Sequence, residues 1–347
     1  MRLGMQISYS GDFKSAAQEV VDLEQAGLDI VWVAEAYTFD AVSQMGYLAA
    51  ITERIEIGAA ILPIYTRTPT LLAMTAAGLD FVSDGRFVLG LGASGPQVIE
   101  GFHGLVYDKP LARTRDIVDI CRKVWRRERL EHDGVYTIPL PEGQGTGLGK
   151  ALKLINRPVR ERIPVYIASL GDKNVELTAE IAEGWLPILY IPELAGRVWD
   201  EPLAAGAAKR PADLPALEIV AGGMVSITED ADQARAIRDF ARPMVALYVG
   251  GMGAKGKNFY NALACRYGFE AEAAEIQDLY LSGKKDEAAA KVPEAFLAGT
   301  NLVGPEGHVR ERLAAFAEAG VTTLNVTPVG GDKIKLIEQL RGWVDDL

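Results

Sequence analysis

Short runs of aliphatic and β-branched residues recur along this chain, and most are followed by a stretch whose apolar positions return every three or four residues. The runs cover residues 3–7, 30–33, 55–61, 87–91, 165–167, 185–189, 217–225 and 323–326. Amphipathic stretches include residues 15–26, 41–52, 70–82, 113–129 and 173–182. A strand that is apolar throughout is covered on both faces, and regular alternation with helices makes the sheet parallel. About eight such units close a TIM-type (β/α)₈ barrel, whereas about five or six leave an open doubly wound sheet. The count favours the barrel, as one domain over residues 1–347. The punctuation agrees. Gly27 and Gly320 sit just past helices, where a left-handed residue ends them. Ser83-Asp84-Gly85-Arg86 makes a tight turn, Pro69 and Pro110 suit first helical turns, and Asp40 suits an N-cap.

Two excursions interrupt the rhythm. Residues 131–164 hold Pro139, Pro141 and a glycine-rich run from Gly143 to Gly149, and read as a hairpin and loop covering one end of the barrel. Residues 250–300 are helical in pattern but begin Gly250-Gly251-Met252-Gly253-Ala254-Lys255-Gly256-Lys257. Long insertions in barrels shape the substrate mouth or serve as surface and subunit contacts.

Composition narrows the function classes. The 347 residues carry 36 basic and 47 acidic side chains, a net charge of −11, so no global basic surface awaits nucleic acid. An anionic ligand would need local donors: helix N-termini, backbone N–H groups and chosen cations. Cys121 and Cys265 form no CxxC pair, and the histidines His103, His132 and His308 have no metal-ligand spacing, so no metal site is expected. Residues 1–10 read as a strand rather than a leader, and no apolar run reaches membrane-span length, which sets the expectation of a cytoplasmic protein.

Gly90-Leu91-Gly92-Ala93-Ser94-Gly95 matches the dinucleotide fingerprint, but it follows about the fourth strand rather than the first, and no acid ends a next strand. In a barrel the same small residues let a flat ring approach the backbone. Ser94 is no nucleophile elbow, because Pro96 stands where the motif needs glycine. Glu35 ends an apolar strand, the place where barrel carboxylates act in catalysis; capping a helix or pairing with an arginine is the structural alternative. Ala168-Ser169-Leu170-Gly171-Asp172-Lys173-Asn174 follows the fifth strand and opens a helix, a ready anion site to which Lys173 would add charge. A plain βα turn capped by Ser169 or Asp172 is the alternative there.

Together these residues resemble the bacterial-luciferase-like superfamily, specifically its coenzyme F420-dependent oxidoreductases. The resemblance spans nearly the whole chain. It rests on Val31 to Glu35, Gly58 to Pro63 with Thr66-Arg67-Thr68-Pro69, Leu79 to Phe87, Gly90 to Gln97, Tyr107 to Pro110 and Ala168 to Gly171. It implies a non-proline cis peptide at Ala60–Ile61 behind the ring, Ala93, Ser94 and Gly95 bordering it, and Ser169, Leu170 and Gly171 holding the phosphate. It also implies hydride transfer between the deazaflavin and a small organic substrate, in a chain expected to assemble as a dimer of like subunits. FMN is the alternative cofactor, with a luciferase-like monooxygenase or a flavin-binding protein without turnover as rival activities. One departure stands out: several relatives carry Asp-His after the second strand, and here the pair is Glu35-Ala36. A second is the acid some relatives carry after the fourth strand, replaced by Ser94-Gly95. The proton then comes from Glu35, Tyr37 or water, or the chemistry is a bare hydride transfer. Arg67, Lys173, Lys255 and Lys257 are candidates to meet the cofactor's oligoglutamate tail.

Overall fold

The computed structural model describes residues 1–7 and 11–346; residues 8–10 of the expected first strand lie outside them. Eight parallel strands form the barrel: β1 (Arg2–Gln6), β2 (Ile30–Val33), β3 (Glu56–Ala59), β4 (Phe87–Gly92), β5 (Val165–Ile167), β6 (Gly184–Trp185), β7 (Glu218–Ala221) and β8 (Thr323–Pro328). Each pairs with the next, and β8 pairs back onto β1 with Leu324 opposite Leu3, which closes the sheet. Beyond β3 the chain pairs again with β4 at Leu62–Pro63. Beyond β7 it continues as Met224–Ile227, which pairs with β8 and with a short strand, Leu302–Gly304, that the sequence pattern did not single out.

Eight helices surround the barrel: α1 (Phe13–Gln25), α2 (Ala41–Ile51), α3 (Pro69–Val82), α4 (Pro110–Trp125), α5 (Asp172–Ile181), α6 (Pro192–Ala207), α7 (Glu306–Glu318) and α8 (Lys333–Asp345). Side chains close their first turns where the sequence offers them. Asp12 accepts from Lys14 N, Asp40 from Ser43 N and Thr68 from Leu71 N. Gly27 and Gly320 follow α1 and α7 at φ 100° and 84°, as helix-ending glycines do. No helix among the described residues is long and apolar enough to cross a membrane.

The two faces of each strand fill different spaces. Leu3, Val31, Ile57, Leu89, Val165 and Leu324 join the outer core beneath the helices. Ile30, Trp32, Val88, Tyr166 and Val220 form a separate cluster that fills the barrel interior. Trp32 and Tyr166 fit there because small residues face them. A Cβ on Gly58 would stand 2.2 Å from the Trp32 ring. At the N-terminal end, Arg2 pairs with Glu56 at 2.5 Å and the Tyr166 hydroxyl donates to Glu218 at 2.6 Å. Around that floor, Arg86 donates to the carbonyls of Ile55, Thr52 and Ala49, and the fully buried Asp80 takes a two-nitrogen grip from Arg160.

Arg160 belongs to the first excursion, which therefore returns to the barrel at the floor. Its ascending part lies along α4: Val135 N donates to Asp116 at 2.7 Å, His132 stands between Asp116 and Asp119, and Arg113 lies over the Tyr136 ring. Only one antiparallel bridge, His132 with Ile138, remains of the expected hairpin. The second excursion is helical as expected. It packs beside α6 and α5, with Tyr267 donating to Leu189 O and Arg266 pairing with Asp172, so it lies at the C-terminal mouth.

Candidate active site

Two neighbouring strands end irregularly at the mouth. The Ala60–Ile61 peptide is cis, and the backbone there is tied on both sides. Ala60 N donates to Val33 O at 2.8 Å, Glu35 N donates to Ile61 O at 3.3 Å, and Ile64 N donates to Gly92 O at 3.0 Å. The Ala59 carbonyl leans onto β4, where a Cβ on Gly90 would stand 1.7 Å from it. Glycine is thus required by the close approach of two backbones, not by a nucleotide. Past β4, Ser94 adopts φ 58°, an uncommon left-handed conformation for a residue with a side chain. Gly95 caps the short helix Pro96–Gly101 without a side-chain bond. Ala60, Ile61, Ala93, Ser94 and Gly95 are in this way brought to one side of the mouth.

The next strand supplies a nest of backbone donors. Trp185 on β6 donates its indole N–H to Ser169 O at 2.9 Å, and Trp199 on α6 donates to Leu170 O at 3.2 Å. Both tryptophans are buried and pack edge to face at 5.0 Å. In a trans peptide the C=O and the following N–H point in opposite directions. Turning the carbonyls of Ser169 and Leu170 inward therefore turns the N–H groups of Leu170 and Gly171 outward. The first N–H groups of α5, at Asp172 and Lys173, join them, because a helix start has no internal acceptors. None of these N–H groups has a protein acceptor among the described residues.

Side chains contribute less to this nest than the sequence suggested. The Ser169 hydroxyl is buried and meets Thr178 Oγ1 at 2.8 Å, while Thr178 donates onward to Asn174 O. Ser169 neither caps α5 nor turns its hydroxyl outward. Asp172 would repel an anion, but Arg266 pairs with it at 2.5 Å. Lys173 is exposed and held by Glu176 at 2.9 Å, which raises the lysine's pKa. With Lys209 as its other partner, Glu176 is held down to about 2.

Glu35 ends β2 in a closed network. Its two oxygens take Arg67 at 2.5 and 2.9 Å, and one also accepts from Ala41 N at 2.9 Å. Arg67 completes its fork on Asp40 at 2.9 Å. Both structural roles weighed for this carboxylate, arginine partner and helix cap, are present together. Arg67 is correspondingly occupied, and Lys255 pairs with Asp278. Of the cations considered for the tail, Lys257 has no ion pair among the described residues.

Aromatic residues surround these elements. Tyr65 stacks obliquely on Tyr107 at 5.1 Å, and its own hydroxyl donates to Asp108 O at 2.9 Å. The Tyr107 hydroxyl makes only a long contact of 3.5 Å to Ser94 O, and burial pushes its pKa up, so it holds its proton at neutral pH. Sequence reasoning passed over Tyr107 as an acid, and it missed the orienting roles of Trp185 and Trp199. The buried indole N–H groups were the available signal, since such donors need an acceptor. Among the described residues no cluster of three or more His, Cys, Asp or Glu could hold a metal ion.

The profile of the family described as luciferase-like monooxygenase matches residues 1–323. A Mycobacterium tuberculosis protein named "Putative coenzyme F420-dependent oxidoreductase" is 42% identical over 96% of this chain and 97% of its own length. A 5,10-methylenetetrahydromethanopterin reductase of Archaeoglobus fulgidus is 29% identical over 91% of this chain and 90% of its own. The solved coenzyme F420-dependent tetrahydromethanopterin reductase of Methanopyrus kandleri shares the fold, with a TM-score of 0.79 at 23% identity over 98% of this chain and 96% of that one. The chain belongs to the luciferase-like monooxygenase family, on the branch of relatives named as coenzyme F420-dependent oxidoreductases.

Proposed function

We propose that this protein is a coenzyme F420-dependent oxidoreductase that catalyses hydride transfer with a small organic substrate. The observation that carries this reading is the nest of outward N–H groups at Leu170, Gly171 and the start of α5, beside the backbone bulge at Ala60–Ile61. A phosphate suits the nest, since helix-start donors and the positive helix end both favour negative charge. A flat ring suits the ends of β3 and β4, where Ala60, Ala93, Ser94 and Gly95 are small and the Ile61 side chain lies against Gly92. These residues would hold a deazaflavin, which would supply hydride transfer, given to the substrate when reduced or taken from it when oxidised. The name of the 42% identical relative supports F420 over FMN, which the same backbone features would also suit.

The protein's own groups orient the ligands and handle the proton. We assign Glu35 to anchoring Arg67 and the start of α2, because both of its oxygens already accept hydrogen bonds. Tyr107 is the better proton partner: it is neutral, only loosely held, and lies against Ser94. An exposed stripe on α3 (Leu71, Met74, Phe81 and Val82) supports a homodimer. The test is anaerobic reoxidation of reduced F420 against a panel of enones, ketones and imines, with oxygen uptake measured separately using reduced FMN. Turnover with reduced F420 supports the reading. Oxygen uptake with FMN alone selects the monooxygenase, and tight cofactor binding with no turnover selects a carrier protein.

A further inference from the structure

The rim of the mouth is more apolar than a site for a small polar substrate requires. Tyr37 and Phe39, which follow β2, are 67% and 82% exposed, and Phe102 and Val106, which follow β4, are 66% and 74% exposed. Phe259 of the second excursion, 65% exposed, stands across the mouth, against the nest: a Cβ on Gly171 would meet its ring at 3.1 Å. Large aromatics expose about two thirds of roughly 150–250 Å² each here, so the rim presents on the order of 500 Å² of apolar surface, the size of the largest patch on a typical monomer, which is often functional. The rim is also ordered on one side, where the Tyr37 and Phe102 rings meet at 6.2 Å across two different loops.

Much of the charge beside these rings is cancelled internally, while Glu100, Lys109 and Lys257 carry no ion pair among the described residues. Glu35 and Asp40 share Arg67, and Asp108 takes Arg113 at 2.6 Å. An uncharged substrate body therefore meets Glu35, Asp40 and Asp108 already neutralised.

We propose that the rim is a binding platform for an uncharged, apolar or aromatic substrate body, whose reactive end reaches past Tyr107 to the ring site. This rests on the cofactor reading above and sets the substrate class within it. It departs from a substrate chosen by a phosphate or carboxylate group of its own.

The test uses the full chain saturated with F420, so that the nest is filled, and the uncharged fluorophore N-phenylnaphthylamine. Its sulfonated counterpart, anilinonaphthalene sulfonate, is the charged control. The platform predicts saturable binding of the uncharged dye, with the sulfonate at least about tenfold weaker. The double variant Phe39→Ser/Phe102→Ser should lose about tenfold in dye affinity, and Phe39→Leu/Phe102→Leu should retain it. Both changes are at exposed positions outside the cofactor residues, so F420 affinity and melting temperature should hold. Equal binding of the two dyes, or unchanged dye binding in the serine variant, overturns the platform. So does a fall in oligomer size in that variant by sedimentation, which would make the rim a subunit interface. Failure of the wild type to bind F420 in the same titrations counts against the cofactor reading, and the dye comparison on the unliganded protein still decides the rim.

Discussion

The two ends of this barrel are built on opposite principles. At the floor, polar groups are closed on one another: Arg2 on Glu56, Arg86 on carbonyls of the α2–β3 segment, and Arg160 on Asp80. At the mouth, backbone donors at Leu170 and Gly171 are turned outward, Ser94 holds a left-handed conformation, and large aromatics face solvent. A closed network contributes stability and leaves nothing for a ligand. Open donors held in place by a rigid barrel contribute little stability and await a partner. Substitutions at the floor should therefore change folding without changing binding, and those at the mouth should do the reverse.

The largest effect belongs to the floor. Asp80→Ala strips the fully buried carboxylate from Arg160 and should lower unfolding free energy by about 3 kcal/mol, read by urea denaturation. F420 affinity of the folded protein should stay the same, and a matching loss of affinity would erase the division between the two ends. At the mouth, Gly171→Leu should weaken F420 binding at least about tenfold, or about 1.4 kcal/mol. Its side chain must displace Phe259 and cover the outward N–H groups. Trp199→Phe tests the orienting bond itself. It frees the Leu170 carbonyl to rotate, and should cost about 1 kcal/mol of binding with packing largely kept.

Legibility followed the same division. The lengths of β2 and β5 coincide with their apolar runs, because burial on both faces leaves a mark at every residue. Apolar spacing alone starts two helices late, at residues 15 and 113: α1 begins at Phe13, and α4 at Pro110, the proline that already suited a first turn. Leu302–Gly304 is no shorter than β5, but it carries only two apolar side chains before its glycine and leaves a weaker mark. At the site, the small residues of β4 and the helix start after β5 were readable as candidate positions, and the structure brings both to the mouth. The partners of Glu35 were open as alternatives, since Arg67 is 32 residues away and only the fold joins them. Nor could the sequence show which way the peptide planes at Ser169 and Leu170 face, because indoles from β6 and α6 set that. The first excursion read as a hairpin and loop from its prolines and glycines, but its course along α4 and back to the floor depends on Asp116, Asp119 and Asp80.

The smallest effect is a pH dependence beside the nest. Glu176 is held near 2 by Lys209 and Lys173, below its ordinary value of 4.5. A depressed folded-state pKa adds stability that is fully present above the unfolded value and is lost as pH falls from 4.5 toward 2. Glu176→Gln should therefore lower the melting temperature slightly at neutral pH, change nothing near pH 2, and so flatten the acid limb in that window, with F420 affinity almost unmoved.

The central claim, that the open end of the barrel is a deazaflavin site, is tested most directly by titrating the protein with F420 and with FMN at low salt, alongside Gly171→Leu. The account predicts tighter binding of F420 than FMN by the native chain and loss of both in the variant, whose covered N–H groups serve either phosphate. Equal affinity for the two cofactors, or F420 binding that survives Gly171→Leu undiminished, would contradict it.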